Sequence, residues 1–136
     1  MGYLDWNEAL SVGYEEIDEQ HKELIKILND FLNSMREGKA KTHVGEILRF
    51  LDSYVKIHFA TEEKYMKEYL YEGYGRHKMD HEMFIAEFND ISRSLNENGV
   101  SSVLVMRVQK SLCDWLKNHI LTVDTKMGKF LREKRG

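Results

Sequence analysis

Histidines and acids at helical spacing constrain this chain more than any other feature. His58-x-x-x-Glu62 and His77-x-x-x-His81 are pairs four residues apart, flanked by His21 on one side and His119-x-x-x-x-Asp124 on the other. Side chains at i and i+4 stand only about 40° apart around an α-helix, so each pair points into one space. All seven residues fall on stretches that otherwise read as amphipathic helix. Imidazole with carboxylate, and no thiolate, is the ligand set of iron, manganese, zinc or copper. The series predicts a metal centre held inside a helical bundle.

Glycines divide the chain into four helical segments. The first spans 17–37, where Leu24, Ile25, Leu28, Phe31, Leu32 and Met35 form an apolar stripe that His21 joins. Glu15, Glu16, Asp18 and Glu19 place negative charge near its start, where the helix dipole favours it. The second spans about 40–70 and carries Val44, Ile47, Leu48, Leu51, Tyr54, Val55, Tyr65 and Met66 beside His58 and Glu62, with Gly73 and Gly75 marking the turn. The third, about 76–97, sets Phe84, Phe88, Ile91 and Leu95 in a near-heptad row behind its two histidines. The fourth, about 101–131, opens on Ser101 or Ser102 as cap and continues past Asp124.

Short connections make neighbouring helices antiparallel. The predicted fold is therefore all-α: an up-down-up-down four-helix bundle in a single domain over 1–136, with residues 1–16 packed back along it as an N-terminal arm. In such a bundle the start of one helix is level with the end of the next. His21 lies early in the first helix, His58 and Glu62 late in the second, His77 and His81 early in the third, and His119 and Asp124 late in the fourth. All seven converge at one end. A lone histidine on an apolar helix face is more often a hydrogen-bonded core residue than a ligand. Five of them level with one another would each need a polar partner, and two buried carboxylates would still want satisfying. His43 stands about 22 Å further along the second helix from His58, with no acid at ligand spacing, and reads as a surface residue.

Composition excludes several alternatives. The chain has no proline, which suits long uninterrupted helices. Its formal charge of -3 gives no electrostatic case for nucleic acid, and no apolar run is long enough to insert into a membrane. The basic stretch from Lys126 to Arg135 reads as a solvated helix end. Cys113 is the only cysteine and sits among core positions, so neither a disulfide nor a thiolate cluster is available. No signal pattern opens the chain, and the expected compartment is the cytoplasm.

Seven ligands are too many for one tetrahedral zinc. If both carboxylates bridge, the five imidazoles, the two bridges and one oxide or hydroxide fill all but one position of two octahedral metals. The open position suits a small external ligand. His119 and Asp124, five residues apart, stand about 140° apart on an ideal helix and can share a site only if the helix is irregular between them. The irregularity is expected at Leu121 to Val123.

With these ligands in view, the segments DEQH at 18–21, HFATEE at 58–63, HKMDH at 77–81 and WLKNHILTVD at 115–124 closely resemble hemerythrins, in particular the stand-alone bacterial ones. The resemblance covers nearly the whole chain, the arm with Trp6 included. It implies two non-haem iron ions per chain, bridged by an oxo or hydroxo group, Glu62 and Asp124. His77, His81 and His119 would bind the six-coordinate iron, and His21 and His58 the iron with the vacant position. It further implies reversible binding of dioxygen for transport, storage or delivery, in a dry pocket lined by Leu24, Phe59, Trp115, Leu116 and Ile120, and no enzymatic turnover.

Other functions make different demands on the residues. A ferritin-like oxidase or peroxidase would use Glu-x-x-His motifs, and no histidine here has a glutamate three residues before it. Repair of nitric-oxide-damaged iron centres, an activity associated with hemerythrin-like proteins, is a related alternative. A sensing module is another; with no room for an output domain it would act on a separate partner. The expected partners are dioxygen and an O2-consuming or signalling protein.

Overall fold

The structure, a computed structural model, describes residues 3–135. Helix α1 is Glu15–Arg36, α2 is Lys41–Glu68 and α3 is Tyr74–Asn98. The fourth helix runs continuously over 102–135. It is α-helical at Ser102–Val108, π-helical at Gln109–Asp114, α-helical at Trp115–His119, π-helical again at Ile120–Asp124, and α-helical over Thr125–Arg135. Each helix packs on the next and the fourth returns to the first, which closes the antiparallel bundle. Among the described residues no helix is long and apolar enough to cross a membrane.

The observed ends differ slightly from the expected ones, for local reasons. The arm ends at Tyr14 rather than at residue 16, because the acidic residues Glu15 and Glu16 already form the first turn of α1. Asp18, in that turn, reaches back to the arm and accepts hydrogen bonds from the Val12 amide (2.8 Å) and the Ser11 hydroxyl (2.6 Å). The turn after α2 comes earlier than Gly73 and Gly75 suggested. Leu70 takes the left-handed conformation (φ 57°), letting the Tyr71 amide close on the Met66 carbonyl at 2.9 Å. Its side chain is left in solvent, and Gly75 lies inside α3. Ser101 caps the fourth helix, its hydroxyl accepting from the Leu104 amide.

Two buried apolar clusters fill the bundle. The larger contains Leu24, Leu28, Phe31, Leu51, Val55, Phe59, Phe84, Phe88, Ile91, Leu112, Leu116 and Ile120. The smaller contains Val12, Tyr14, Ile17, Met66, Met127 and Leu131, with Tyr71, Tyr74 and Phe130 packed against it. The arm is fixed along the bundle by polar contacts. Asn29 on α1 pairs with the backbone of Leu4 in both directions (3.0 and 2.6 Å), and Arg132 donates to the Val12 carbonyl.

The arm can lie this close only because the fourth helix presents Gly128. A Cβ there would sit 2.3 Å from the Val12 carbonyl oxygen and 2.7 Å from the Val12 Cβ. Neither the arm backbone nor the helix can yield without losing the contacts that seat them. Gly128→Ala should therefore destabilise the protein by roughly 1–3 kcal/mol despite alanine's better helix propensity. Denaturant unfolding measures this, and an unchanged or raised midpoint would refute the close packing of the arm.

Candidate metal centre

The polar residues form a layer one helical turn thick between the two apolar clusters. On α1, His21 lies between Ile17 of the smaller cluster and Leu24 of the larger. Glu62 lies between Phe59 and Met66 on α2, and Asp124 between Ile120 and Met127 on the fourth helix. Three- and four-residue steps keep each trio on one helix face, so one stripe carries apolar, polar and apolar residues in turn. His21, His58, Glu62 and Asp124 are fully buried, His77 and His81 are 2% exposed, and His119 is 5% exposed. All seven expected residues come together here. His43 lies apart on the surface.

Asp124 reaches the layer through the predicted helix irregularity. In the π-helical segment Ile120–Asp124 hydrogen bonds close over five residues, and the Thr125 amide bonds the Ile120 carbonyl. Residues five apart are thereby brought onto one side, and His119 Nε2 lies 3.1 Å from Asp124 Oδ1. The hydroxyls of Thr122 and Thr125 each donate to the carbonyl four residues back, both at 2.7 Å, and satisfy acceptors in this stretch. The second π-helical segment, Gln109–Asp114, had no warning in the sequence.

The carboxylate oxygens divide the histidines into two sets. Glu62 Oε2 faces His21 Nε2 (3.2 Å) and His58 Nε2 (3.1 Å), while Glu62 Oε1 faces His77 Nε2 (3.2 Å) and His81 Nε2 (3.0 Å). Asp124 repeats the division: Oδ2 lies 3.0 Å from His21, and Oδ1 lies 2.9 Å from His77 and 3.1 Å from His119. One group is thus His21, His58, Glu62 and Asp124; the other is His77, His81, His119, Glu62 and Asp124, with the ligand atoms of each within 4.8 Å of one another. Only the two carboxylates belong to both.

Glu62 meets His21, His77 and His81 in hydrogen-bond geometry, but the contacts at Asp124 fit metal coordination better. Both oxygens of Asp124, with His58 Nε2 and His119 Nε2, are buried with no partner in hydrogen-bond geometry, although ring nitrogens and oxygens stand about 3 Å apart. Two donors bound to one metal at about 2.1 Å and at right angles lie about 3.0 Å apart, so the lone pairs converge on a shared point between the atoms. A buried carboxylate left this way would cost several kcal/mol.

The same proximity determines the charge state of the metal-free layer. Burial works against the charged form of His21, but the Asp124 and Glu62 carboxylates about 3 Å from its ring outweigh it and raise its pKa to about 10. His77 is raised to about 9 by the same pair of carboxylates against the same opposition. Burial prevails at His58 and pushes its pKa below the ordinary value. Glu62 and Asp124 are held well below the usual carboxylate range despite burial, by the surrounding histidines. His21 and His77 thus bring positive charge beside the two carboxylates.

Several outer partners of the histidines were not expected from the sequence. His58 Nδ1 donates to Gln20 Oε1 (2.8 Å), His81 Nδ1 donates to Glu63 Oε2 (3.0 Å), and His119 Nδ1 lies 4.0 Å from Asp80 Oδ2. Each of these three adjoins a layer residue in sequence: Gln20 before His21, Glu63 after Glu62, Asp80 before His81. One residue's step is about 100° around a helix, so each turns away from its own neighbour and serves a histidine of an adjacent helix. Rings are also held by aromatic contact. Phe59 stacks on His81 at 3.8 Å and Trp115 on His119 at 4.5 Å, both on the three-histidine side. Leu24, Leu116 and Ile120 belong to the same buried cluster.

A family profile described as Hemerythrin HHE cation binding domain matches residues 12–131, nearly the whole bundle and the end of the arm. The chain belongs to the hemerythrin family. A bacteriohemerythrin of Pseudomonas paraeruginosa is 32% identical over 125 residues, covering 91% of this chain and 78% of that protein. A myohemerythrin of Theromyzon tessulatum is 31% identical over 121 residues, covering 89% and 88%. A wild-type hemerythrin crystal structure superposes with a TM-score of 0.82 at 26% identity, over 95% of this chain and 98% of that one. The hemerythrin fold carries a di-iron centre that binds dioxygen reversibly, as a carrier and not an enzyme, and the buried histidine and carboxylate cluster of this chain is suited to hold that iron.

The raised histidines have a measurable consequence. A folded-state pKa above the unfolded value of about 6.5 contributes stability that is whole below that value and is lost as pH rises through the folded pKa. The metal-free protein should therefore lose stability from about pH 7 towards pH 10, across the pKa values of His77 and His21. Iron-loaded protein should not show this limb, because ligation keeps the imidazoles neutral throughout. Denaturant unfolding of both forms at pH 6 to 10 tests this. Loading near pH 7.5 should also release protons, those of His21 and His77 together with at least one from the water that would become the bridging group, read with an indicator dye in weak buffer. A metal-free protein equally stable at pH 7 and 10 would contradict the paired charges.

Proposed function

We propose that His77, His81 and His119 hold one iron, that His21 and His58 hold the other, and that Glu62 and Asp124 bridge them together with an oxo or hydroxo group. One observation supports this above the rest: each carboxylate turns one oxygen to the two-histidine group and the other to the three-histidine group. With two bridging carboxylates, the two-histidine iron would have one protein ligand fewer, which would leave a position for dioxygen. When bound, a ferrous pair supplies two electrons that dioxygen takes up and returns.

The protein's part is to position donors and exclude water. Carboxylates between the histidine groups would hold both metals and neutralise part of their charge within a buried layer. Leu24, Leu116 and Ile120, with Phe59 and Trp115 stacked on the three-histidine side, would supply the apolar lining that keeps water and stray protons from the centre. Hydrogen bonds and stacking fix the imidazole planes, so the donors are aimed before metal arrives.

The role is transport, storage or delivery of dioxygen in the cytoplasm, a compartment in keeping with one buried, unpaired cysteine. An O2-consuming protein is the natural recipient. A signalling partner would instead read the occupancy of the centre at the fourth helix, where Asp124 ends a π-helical segment.

The test begins with iron loading in the absence of oxygen. Metal-free protein loaded with ferrous iron should take up two irons per chain and then gain and lose colour reversibly through repeated cycles of air and argon. Irons that oxidise once and remain ferric, with peroxide released or consumed, would place the chain among oxidases or peroxidases. Replacing Glu62 or Asp124 by Ala should release at least one iron; two variants that both keep two irons and normal colour would refute the assignment of the bridges.

A further inference from the structure

The two histidine groups differ in what stands behind them. Behind two of the three rings in the larger group stand carboxylates: Glu63 accepts from His81 Nδ1 at 3.0 Å and Asp80 lies 4.0 Å from His119 Nδ1, while His77 Nδ1 is buried without a hydrogen-bond partner. Behind the two-histidine group the ring contact is neutral. His58 Nδ1 meets the amide oxygen of Gln20 at 2.8 Å, and His21 Nδ1 is buried without a partner.

The Gln20 amide is itself held in one orientation. The Thr61 hydroxyl donates to the Ile57 carbonyl at 3.0 Å, which commits its proton and leaves its oxygen as an acceptor. Gln20 Nε2 donates to that oxygen at 3.2 Å, so Gln20 Oε1 is turned to His58. An acceptor at this position requires the proton on Nδ1, which leaves the Nε2 lone pair facing Glu62 and the centre of the layer. The direction of four consecutive groups, from the Ile57 carbonyl to the His58 ring, is thus determined by one another.

We propose that Gln20 is a positioning residue for dioxygen binding: it fixes the His58 tautomer with an uncharged acceptor and so keeps the two-histidine half less electron-donating than the three-histidine half. A carboxylate accepting the same Nδ1–H draws the proton towards itself and makes the ring a stronger donor, whereas an amide orients the ring with little added donation. The half at which dioxygen binds thereby favours the ferrous state. This inference rests on the di-iron reading of the site.

Gln20→Glu and Gln20→Ala separate the charge of the acceptor from its mere presence. In metal-free protein, histidine 15N spectra should show the His58 Nδ1–H tautomer in the parent and in Gln20→Glu, and a mixture of tautomers in Gln20→Ala. In iron-loaded protein with two irons per chain, Gln20→Glu should favour the ferric state about tenfold, a midpoint potential lower by about 59 mV for one electron. Gln20→Ala should not lower it. The proposal is overturned if both variants shift the potential alike, if Gln20→Glu leaves it unchanged, or if the His58 tautomer survives in Gln20→Ala. A parent protein that takes up no pair of irons would overturn the di-iron reading itself. Two irons with reversible colour and a flat response to Gln20→Glu would overturn only the role of Gln20.

Discussion

Two carboxylates with no exposure, ringed by five imidazoles and sealed between apolar clusters, are the constraint on which the rest of this structure depends. Charges so placed must be neutralised and their lone pairs directed, because water cannot reach them. In the metal-free protein protonated His21 and His77 perform the first task. Iron performs both, since the ring nitrogens and carboxylate oxygens already converge. The apolar layers on either side raise the cost of leaving the centre uncompensated and also keep its chemistry dry.

This layer imposes demands on the helices that carry it. Asp124 must face the same space as His119 five residues earlier, and the fourth helix meets the demand by closing its hydrogen bonds over five residues at Ile120–Asp124. Arm and bundle must also close over the smaller cluster, which brings Val12 against Gly128 and leaves no room there for a side chain. Local irregularity and close approach are thus consequences of where the charged layer sits. The two halves of the centre then differ in a second respect besides histidine number, since a carboxylate accepts from His81 in one and an amide accepts from His58 in the other.

Much of this could be read along the chain. His21, His58, Glu62, His77, His81, His119 and Asp124 announced themselves by sharing a stripe with Leu24, Val55, Phe84 and Ile120, and chain order alone levelled them. The break before Asp124 was legible as well, since a five-residue step is incompatible with a shared site on a regular helix. Gln20, Glu63 and Asp80 were not legible as partners. Each is an ordinary polar residue on a partly exposed helix face, and only the packing of a neighbouring helix brings a histidine nitrogen to it. The left-handed turn at Leu70 was missed because glycines three and five residues later offered an easier place for it. Nor did the segment Gln109–Asp114 carry a signal, for its apolar residues suit an α-helix equally well.

By itself the sequence determined the helical period, the number of segments, the identity of the polar layer and the family of metal chemistry it can serve. These follow from spacing and residue type, which are properties of one chain segment at a time. The tertiary structure decided which oxygen faces which histidine, that His21 and His77 are the rings whose protons the carboxylates retain, and that an amide rather than a carboxylate orients His58. Those are matters of a few tenths of an ångström between different helices. Hydrogen bonding and Coulomb energy change steeply over such distances, and no periodicity along a single segment records them.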